Sequence, residues 1–241
     1  MVFGLMSRID VDEVYLKTKE HYNQAKKTLQ EIEHFFFEHA DAISDTIPGY
    51  RAEYLEFGSY DKDNFAVLFV DMRNSTKRAQ AIGAEKTFLT MHAYIPALLE
   101  VIKFYNGKVV DIMGDGIMVF FGGKKSDMAK VIAVKKAGLC GKDMLRVIDK
   151  VVNRILDEEK IRWSIDIGVG VDYGSVIVTK IGIREFYDVK AFGDCVNKAS
   201  KYSNGCNQVK VSKQVKEIWP SSEGGKIKFI PIDGGDCYVL S

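Results

Sequence analysis

The feature that most constrains this chain is a pair of aspartates, each placed where an apolar run predicted to be a buried strand meets a turn. Asp71 closes the run that begins at Phe65, and Asp115 lies between two glycines that separate two further apolar runs. A carboxylate at the mouth of a buried strand is costly to desolvate unless a cation compensates its charge. Either aspartate alone indicates only a turn, because Asp is common in turns. Two of them on neighbouring strands predict a site for divalent metal ions.

The polar loop after Asp71 adds a second signal. It leads into a predicted helix, and the side chains of Ser75 and Thr76 are suited to capping the start of that helix. The free backbone amides of a first helical turn attract anions. The loop therefore predicts a phosphate-binding position beside the metal site.

Three stretches of the sequence together resemble the catalytic domain of class III nucleotide cyclases. They are FVDMRNST (Phe69–Thr76), GKVVDIMGDGIMVFF (Gly107–Phe121), and the pair IDIGVGVDYGSV (Ile165–Val176) and FYDVKAFGDCVNKASK (Phe186–Lys201). They stand in the order and with the spacing of the family, and the resemblance extends from about Phe65 to Leu240. It implies an α+β fold with a ferredoxin-like βαββαβ core and additions, here preceded by an N-terminal helix.

Hydrophobic periodicity predicts a matching order of elements. The first half contains a predicted strand over Phe65–Val70, a helix from about Gly83 to Phe104, a hairpin of Lys108–Met113 and Ile117–Phe121, and a long helix from about Ser126 to Asp157. Predicted strands over Ile161–Val171 and Ser175–Lys180 and a short helix near Cys195–Tyr202 follow. The last predicted elements are a strand over Gln208–Val211, a helix over Ser212–Ile218 and a closing hairpin near Lys226–Val239. We expect residues 1–60 to form an N-terminal helical segment and residues 61–241 to form the catalytic domain.

The N-terminal segment has two open accounts. Apolar positions from about Asp10 to Ala42 predict one helix, which either packs its apolar stripe onto its own domain or serves dimerisation or signalling. The run Phe35–Phe37 supports dimerisation or signalling, because exposed phenylalanines need a covering surface.

The resemblance implies the metal half of a catalytic site. Asp71 and Asp115 match the family's two metal-binding aspartates, and the carbonyl oxygen of Met72 would add a ligand. The β- and γ-phosphates of a nucleoside triphosphate would be received by the backbone around three residues, Asn74, Ser75 and Thr76. Two Mg²⁺ or Mn²⁺ ions would activate the ribose 3′-hydroxyl, which attacks the α-phosphorus and yields a 3′,5′-cyclic nucleotide and pyrophosphate.

The resemblance implies a second half-site on the later helix. Asn197 matches the asparagine that orients the ribose. Four residues later the family has an arginine that stabilises the transition state, whereas this chain has Lys201, which keeps the charge but loses the planar fork. In relatives the two halves meet across a head-to-tail homodimer with two shared sites. We therefore expect this chain to act as a homodimer.

Base recognition is where the chain departs most from its relatives. Adenylate-forming members have Lys four residues before the second metal aspartate and Asp or Thr at a partner position; here these positions hold Asp111 and Lys190. The exchange would present the wrong donor and acceptor to adenine, and unpaired polar groups reject a wrong base strongly. The two residues could also simply form an ion pair. The stretch Asp71–Ala79 resembles the cyclases of bacterial Pycsar anti-phage systems, which make cyclic UMP or cyclic CMP, so we favour UTP and then CTP as substrate.

Three other functions stay open. The first is an adenylate cyclase with an atypical base pocket. The second is a catalytically silent nucleotide-binding or regulatory domain, because Lys201 replaces the arginine and Ile232–Asp236 replaces the family's Lys-Gly-Lys motif, with Lys226 or Lys228 as possible substitutes. The third is a diguanylate cyclase or nucleic-acid module. That function is disfavoured because the chain has no GG(D/E)EF motif and no clustered basic or aromatic stretches.

Composition limits the partners and the compartment. The formal net charge of the 241 residues is +1, which gives no general attraction to nucleic acid or anionic membranes. No apolar stretch approaches membrane-spanning length. The cysteines contain no CxxC pair and predict reduced thiols in a cytoplasmic protein: Cys140, Cys195, Cys206 and Cys237.

Overall fold

The computed structural model describes residues 8–30, 47, 50, 52–220 and 226–241. Its helices are α1 (Val11–Gln30), α2 (Ser75–Ile82), α3 (Ala84–Phe104), α4 (Lys130–Val147), α5 (Asn153–Glu158), α6 (Asp194–Tyr202) and α7 (Lys213–Ile218). Its strands are β1 (Tyr60–Met72), β2 (Lys108–Met113), β3 (Gly116–Gly122), β4 (Ile167–Ile183), β5 (Phe186–Phe192), β6 (Gln208–Ser212), β7 (Phe229–Ile232) and β8 (Cys237–Leu240).

The strands form one mixed sheet in the order β2-β3-β1-β4-β6-β8-β7, with β5 paired to β4 outside this path. β3 lies antiparallel between β1 and β2, and β4 pairs antiparallel with the other side of β1. With α3 and α4 as the two crossing helices, these four strands have the βαββαβ order of a ferredoxin-like core. The predicted α+β fold is confirmed. The added strand β6 runs parallel to β4.

Side-chain alternation along β1 divides the interior into two layers. The even-numbered residues Ala66, Leu68 and Val70 belong to the large core under α3 and α4. The odd-numbered Phe65 and Val67 belong to a second cluster that also contains residues of α6. Asp71 continues the odd-numbered register, so it lies at the end of the second layer.

The largest departure from the predicted elements is β4. The sequence predicts two strands with a break around Gly174, but one strand runs from Ile167 to Ile183, and residues 161–166 are not a strand. A Cβ atom on Gly174 would lie 3.0 Å from the Cβ atom of Cys195, which is on α6. This glycine therefore permits close helix packing and does not mark a turn. The strand β5 was not predicted.

The predicted long helix is divided. It begins at Lys130, four residues later than expected, and a π-helical turn over Ile148–Val152 separates α4 from α5. The later start has a local cause, because the hydroxyl of Ser126 accepts a hydrogen bond from the amide of Met128 and the amide of Ser126 donates to the Gly123 carbonyl. The remaining predicted elements are confirmed within a few residues.

Helix α1 packs on its own domain along the residues that the structure describes. Its buried residues Val14, Thr18, Tyr22 and Ala25 recur at helical spacing. Lys19 pairs with Glu158 and Glu159 at 3.1 and 3.0 Å. The rest of the predicted helix, with its three phenylalanines, lies outside the described residues, and the division of the chain at residue 60 stays a prediction. None of the helices in the described ranges is both long and apolar enough to cross a membrane.

Glycines in β4 let α6 lie directly on the sheet. A Cβ atom on Gly170 would lie 1.9 Å from the carbonyl oxygen of Ala199, and one on Gly168 would lie 1.9 Å from that of Ser203. Both neighbours are backbone atoms, so they cannot move aside as a flexible side chain can. The position of α6, with the candidate residues that it carries, depends on this contact.

We predict that Gly170→Ala destabilises the protein by about 2 kcal/mol or more, because overpacking against backbone forces the helix away from the sheet. The free energy of unfolding from urea denaturation measures the effect. Ser200→Ala, on the exposed face of the same helix, is the matched control and should stay within about 0.5 kcal/mol of the unsubstituted protein. Equal stability of the two variants would contradict the close contact.

Candidate active site

Strand pairing brings the two aspartates to one edge of the sheet. Asp71 is the second-last residue of β1, and Asp115 belongs to the turn Gly114–Asp115 between β2 and β3. β1 and β3 are antiparallel neighbours with Val70 opposite Ile117, so the end of β1 lies beside the start of β3. The two carboxylates therefore converge, as the sequence predicts.

The electrostatics of this pair call for a cation. Burial raises the pKa of Asp71, the guanidinium of Arg73 lowers it, and the carboxylate of Asp115 raises it. Arg73 Nη2 contacts Asp71 Oδ2 in an ion pair. Asp115 Oδ2 is buried and has no hydrogen-bond partner among the described residues. A carboxylate oxygen left in this state is costly unless a positive charge approaches it.

The donor set fits a magnesium or manganese ion. The described residues contain no group of three or more His, Cys, Asp or Glu side chains that could hold a metal, so the protein offers two carboxylates here. Mg²⁺ is commonly bound in this way, by one or two carboxylates together with substrate phosphates and waters. The buried oxygen of Asp115 is the ligand atom that such an ion would satisfy. The role of the Met72 carbonyl as a further ligand stays a prediction.

A tyrosine that the sequence did not suggest fixes the turn of the second aspartate. The hydroxyl of Tyr94, a fully buried residue of α3, donates a hydrogen bond of 3.0 Å to the Asp115 carbonyl oxygen. Burial raises the pKa of Tyr94, and the nearby charges of Asp115 and Asp71 raise it further. The hydroxyl therefore remains a proton donor, and a stable donor holds the turn in one position.

The predicted phosphate loop, Met72–Thr76, ends at the start of α2. Asn74 is the residue that precedes the helix, in the left-handed conformation with φ 55°, which asparagine tolerates better than most residues. The prediction that Ser75 or Thr76 caps the helix is wrong, because the helix begins at Ser75 and no side chain caps it. The first amides of a helix have no partner inside it, so those of Ser75 and Thr76 remain available for an anion.

The two helix residues predicted to act on ribose and phosphate are exposed. Asn197 and Lys201 lie on one face of α6, and their side chains make no hydrogen bond or ion pair with any residue that the structure describes. The opposite face of α6 is anchored on the sheet by Cys195 and Ala199. Neither side chain is therefore joined to Asp71 or Asp115 by a hydrogen bond or an ion pair within the described chain.

The predicted base-reading residues do meet. Lys190 Nζ lies 3.5 Å from Asp111 Oδ2 and 2.7 Å from Asp188 Oδ2. The Asp188 carboxylate is the main cause of a raised pKa of Lys190, and Asp111 adds to it. We call Asp111, Asp188 and Lys190 the base cluster. The ion pair that the sequence left open is therefore present, but both carboxylates and the ammonium are partly exposed and can reach a ligand.

Asp188 was missed because β5 was missed. Residues two apart on a strand point to the same side, so Asp188 and Lys190 share a face as soon as Phe186–Phe192 is recognised as a strand. The alternation of the segment FYDVKAF could have given this signal.

Comparison with known proteins places this geometry in a family. Residues 57–232 match the family model described as the adenylate and guanylate cyclase catalytic domain. An adenylate cyclase of Anabaena cylindrica is 24% identical over 208 residues, which are 82% of this chain and 38% of that protein. A cytidylate cyclase of Staphylococcus aureus is 28% identical over 180 residues, which are 73% of this chain and 42% of that protein. The chain thus spans less than half the length of both relatives.

A solved structure has the same fold. The crystal structure of the adenylyl cyclase CyaB from P. aeruginosa superposes with a TM-score of 0.66 and 21% identity. The match covers 76% of this chain and 96% of that one. At this identity the likeness concerns the fold alone.

We predict that Asp115→Asn stabilises the protein in the absence of divalent metal. The amide removes the repulsion between the two carboxylates, and its NH₂ group can donate a hydrogen bond from the buried position. The free energy of unfolding should therefore rise by about 1 kcal/mol, which corresponds to roughly 2–4 °C in melting temperature. Mn²⁺ should then raise the melting temperature of the unsubstituted protein and leave the variant unchanged.

The control for this measurement is Asp149→Asn, which alters a carboxylate that is 66% exposed and paired only with Lys150 among the described residues. It should keep the manganese response of the unsubstituted protein. A response that survives in Asp115→Asn would mean that manganese binds elsewhere.

Proposed function

Because the chain belongs to the family of adenylate and guanylate cyclase catalytic domains, we propose that it converts a pyrimidine nucleoside triphosphate, UTP ahead of CTP, to the 3′,5′-cyclic nucleotide and pyrophosphate. The observation that carries the choice of base is the contact of Lys190 with Asp111 and Asp188. The name cytidylate cyclase, carried by one of the relatives, supports a pyrimidine substrate.

The exchanged charges of the base cluster suit uracil. Adenine presents a donor at N6 and an acceptor at N1, which the family's adenylate-forming members read with a carboxylate or hydroxyl and with a lysine. Uracil presents the reverse pattern, an acceptor at O4 and a donor at N3. Lys190 in place of the carboxylate would donate to O4, and Asp111 in place of the lysine would accept from N3–H. Cytosine presents the pattern of adenine, a donor at N4 and an acceptor at N3, so the base cluster ranks UTP ahead of CTP. Guanine shares the pattern of uracil, so GTP is the purine that tests the assignment.

In a site shared between two subunits, each candidate residue would have a defined role. Asp71 and Asp115, with the Met72 carbonyl, would hold two Mg²⁺ or Mn²⁺ ions, which lower the pKa of the ribose 3′-hydroxyl and stabilise the leaving pyrophosphate. The amides of the phosphate loop would bind the β- and γ-phosphates. Asn197 would orient the ribose and Lys201 would place a positive charge at the reacting phosphate. Most of the rate enhancement then comes from positioning and charge stabilisation.

A homodimer would complete the site. The side chains of Asn197 and Lys201 are exposed and make no hydrogen bond or ion pair with the described residues, and we propose that a second copy brings the two halves together. The hairpin of β4 and β5 supports this, because it exposes large apolar side chains that a partner could cover, among them Ile183 at 60% and Phe186 at 79%. Resemblance to the Pycsar cyclases further suggests that the product is a signal in anti-phage defence.

Two other functions are retained as outcomes of the test. An adenylate cyclase would require the base cluster to rearrange around adenine. A catalytically silent domain is favoured by Lys201 and by the turn Asp233–Gly235, which lies where the family has its Lys-Gly-Lys motif. Lys226 and Lys228 are exposed before β7, at the end of that strand opposite to the turn, and could contact phosphate.

We expect the purified protein with Mn²⁺ to form cyclic UMP, and cyclic CMP more slowly, when each of the four ribonucleoside triphosphates is supplied in turn. Mass spectrometry of the products is the measurement, and Asp71→Ala, which removes a metal ligand, is the blank. Cyclic AMP as the main product would support the first alternative. Absence of any cyclic product would support the silent domain.

Exchange of the base cluster tests the assignment of the base. The double variant Asp111→Lys with Lys190→Asp restores the order of charges found in adenylate-forming relatives, so UTP turnover should fall at least tenfold relative to ATP turnover. The matched control exchanges the surface ion pair of Asp149 and Lys150, which lie 2.8 Å apart. An unchanged ratio of the two activities in the base variant would remove the cluster from base recognition.

Mixed dimers test the shared site. Asp71→Ala and Asn197→Ala should each be inactive alone, whereas their coexpression should restore up to about a quarter of the activity, because half of the dimers are mixed and each mixed dimer contains one intact site. Dimers are verified by light scattering. Inactive mixtures with intact dimers would show that the two halves do not act across a subunit interface.

A further inference from the structure

Arg78 is a buried cation in the helix that follows the phosphate loop. It lies on α2 and is only 2% exposed. Its Nη1 donates a hydrogen bond of 2.8 Å to the hydroxyl of Thr90 on α3, and its Nε and Nη2 donate to the carbonyl oxygen of Trp163 at 3.3 and 3.2 Å. The guanidinium therefore connects α2 to α3 and to the segment that precedes β4.

This guanidinium has no carboxylate to neutralise it. Its hydrogen-bond partners are neutral oxygens, and it makes no ion pair with the residues that the structure describes. Burial lowers the pKa of Arg78 to about 10, so the side chain stays protonated at neutral pH. A buried charge without a counterion is costly, and an apolar residue of similar length would fill the space at lower cost. The charge therefore needs another explanation.

The surroundings of Arg78 connect it to both parts of the metal half-site. Thr90 and Tyr94 are one turn apart on α3; the first accepts from Arg78, and the second donates to the Asp115 carbonyl. The segment that contains Trp163 is also tied to the phosphate loop, because the amide of Arg73 donates to the Asp166 carbonyl at 2.8 Å. One framework thus holds the turn of Asp115 and the start of α2.

The position along α2 explains why an uncompensated charge would be useful. The amide of Arg78 donates to the carbonyl of Asn74, so the two residues are one helical turn apart. At 1.5 Å per residue, the guanidinium side chain originates about 6 Å behind the helix start. A cation shielded from water attracts an anion at that start more strongly than a solvated lysine does, and its attraction adds to that of the helix dipole.

We propose that Arg78 is a positioning residue for the triphosphate: it fixes the start of α2 against α3 and supplies the positive charge that makes this helix end selective for polyphosphate. The counterion of Arg78 is then the substrate, or the pyrophosphate product, and not a protein side chain. This inference rests on the proposed function, since it takes the phosphate loop as the triphosphate site.

The test is calorimetric binding of inorganic tripolyphosphate in the presence of Mg²⁺, which needs no turnover. Arg78→Met should weaken binding at least tenfold, because it removes the charge while keeping the length of the side chain. Arg78→Lys should recover a substantial part of the affinity, and Thr90→Val, which loosens the guanidinium but keeps its charge, should lose less than Arg78→Met. Arg154→Met, at an exposed arginine of α5, is the control and should bind as the unsubstituted protein does.

Kinetics with the accepted nucleotide distinguish anion binding from a general structural role. Arg78→Met should raise KM at least tenfold while changing kcat less, and Arg78→Lys should restore KM. Equal tripolyphosphate affinity in Arg78→Met and the unsubstituted protein would overturn the proposal even if cyclase activity is present. Absence of binding in the unsubstituted protein would instead overturn the proposed function together with this inference. Should Arg78→Met fail to fold, the comparison of Arg78→Lys and Thr90→Val decides, and full affinity in both would contradict the proposal.

Discussion

The site depends on two carboxylates that strand pairing forces together. Because β1 and β3 are antiparallel neighbours, the end of one strand and the start of the other lie side by side, which brings Asp71 close to the turn that contains Asp115. Arg73 offsets part of the repulsion at Asp71, while a buried oxygen of Asp115 has no partner among the described residues. A divalent cation would resolve both problems at once, and an affinity for phosphate would follow from that cation and from the adjacent helix start.

The rest of the fold holds this edge of the sheet in place and positions α6, which carries Asn197 and Lys201. α3 contacts the Asp115 turn through Tyr94 and the helix α2 through Thr90. On the other layer, glycines of β4 allow α6 to lie against the sheet, and α6 presents Asn197 and Lys201 outward. A site divided in the proposed way would be incomplete in one chain, which is the physical reason to expect a dimer.

Much of this arrangement could be predicted from the sequence, because its signals are local. Asp71 and Asp115 follow apolar runs that already indicate strands. The family resemblance indicated Asp111 and Lys190 as a pair of base-reading residues. The errors have physical causes. Gly174 looks like a strand break but makes room for Cys195, so β4 was divided. β5 was overlooked, and Asp188 with it.

Arg78 could not be recognised from the sequence at all. A charged residue in a short polar helix is usually solvated, and only the folded chain shows that Thr90 and the Trp163 carbonyl enclose it. For the base cluster, the family resemblance indicated Asp111 and Lys190, but only the folded chain shows that Lys190 approaches Asp111 from a strand far away in sequence. The proposed recognition of the base rests on this long-range contact, which no local pattern encodes.

The most direct test of the central claim is a crystal structure of the protein with Mn²⁺ and a non-hydrolysable UTP analogue, with anomalous data at the manganese edge. We expect manganese coordinated by carboxylate oxygens of both Asp71 and Asp115 and by oxygens of the triphosphate, with the uracil against Lys190. Manganese peaks remote from these aspartates, or an ordered analogue bound while the two carboxylates point apart, would contradict it.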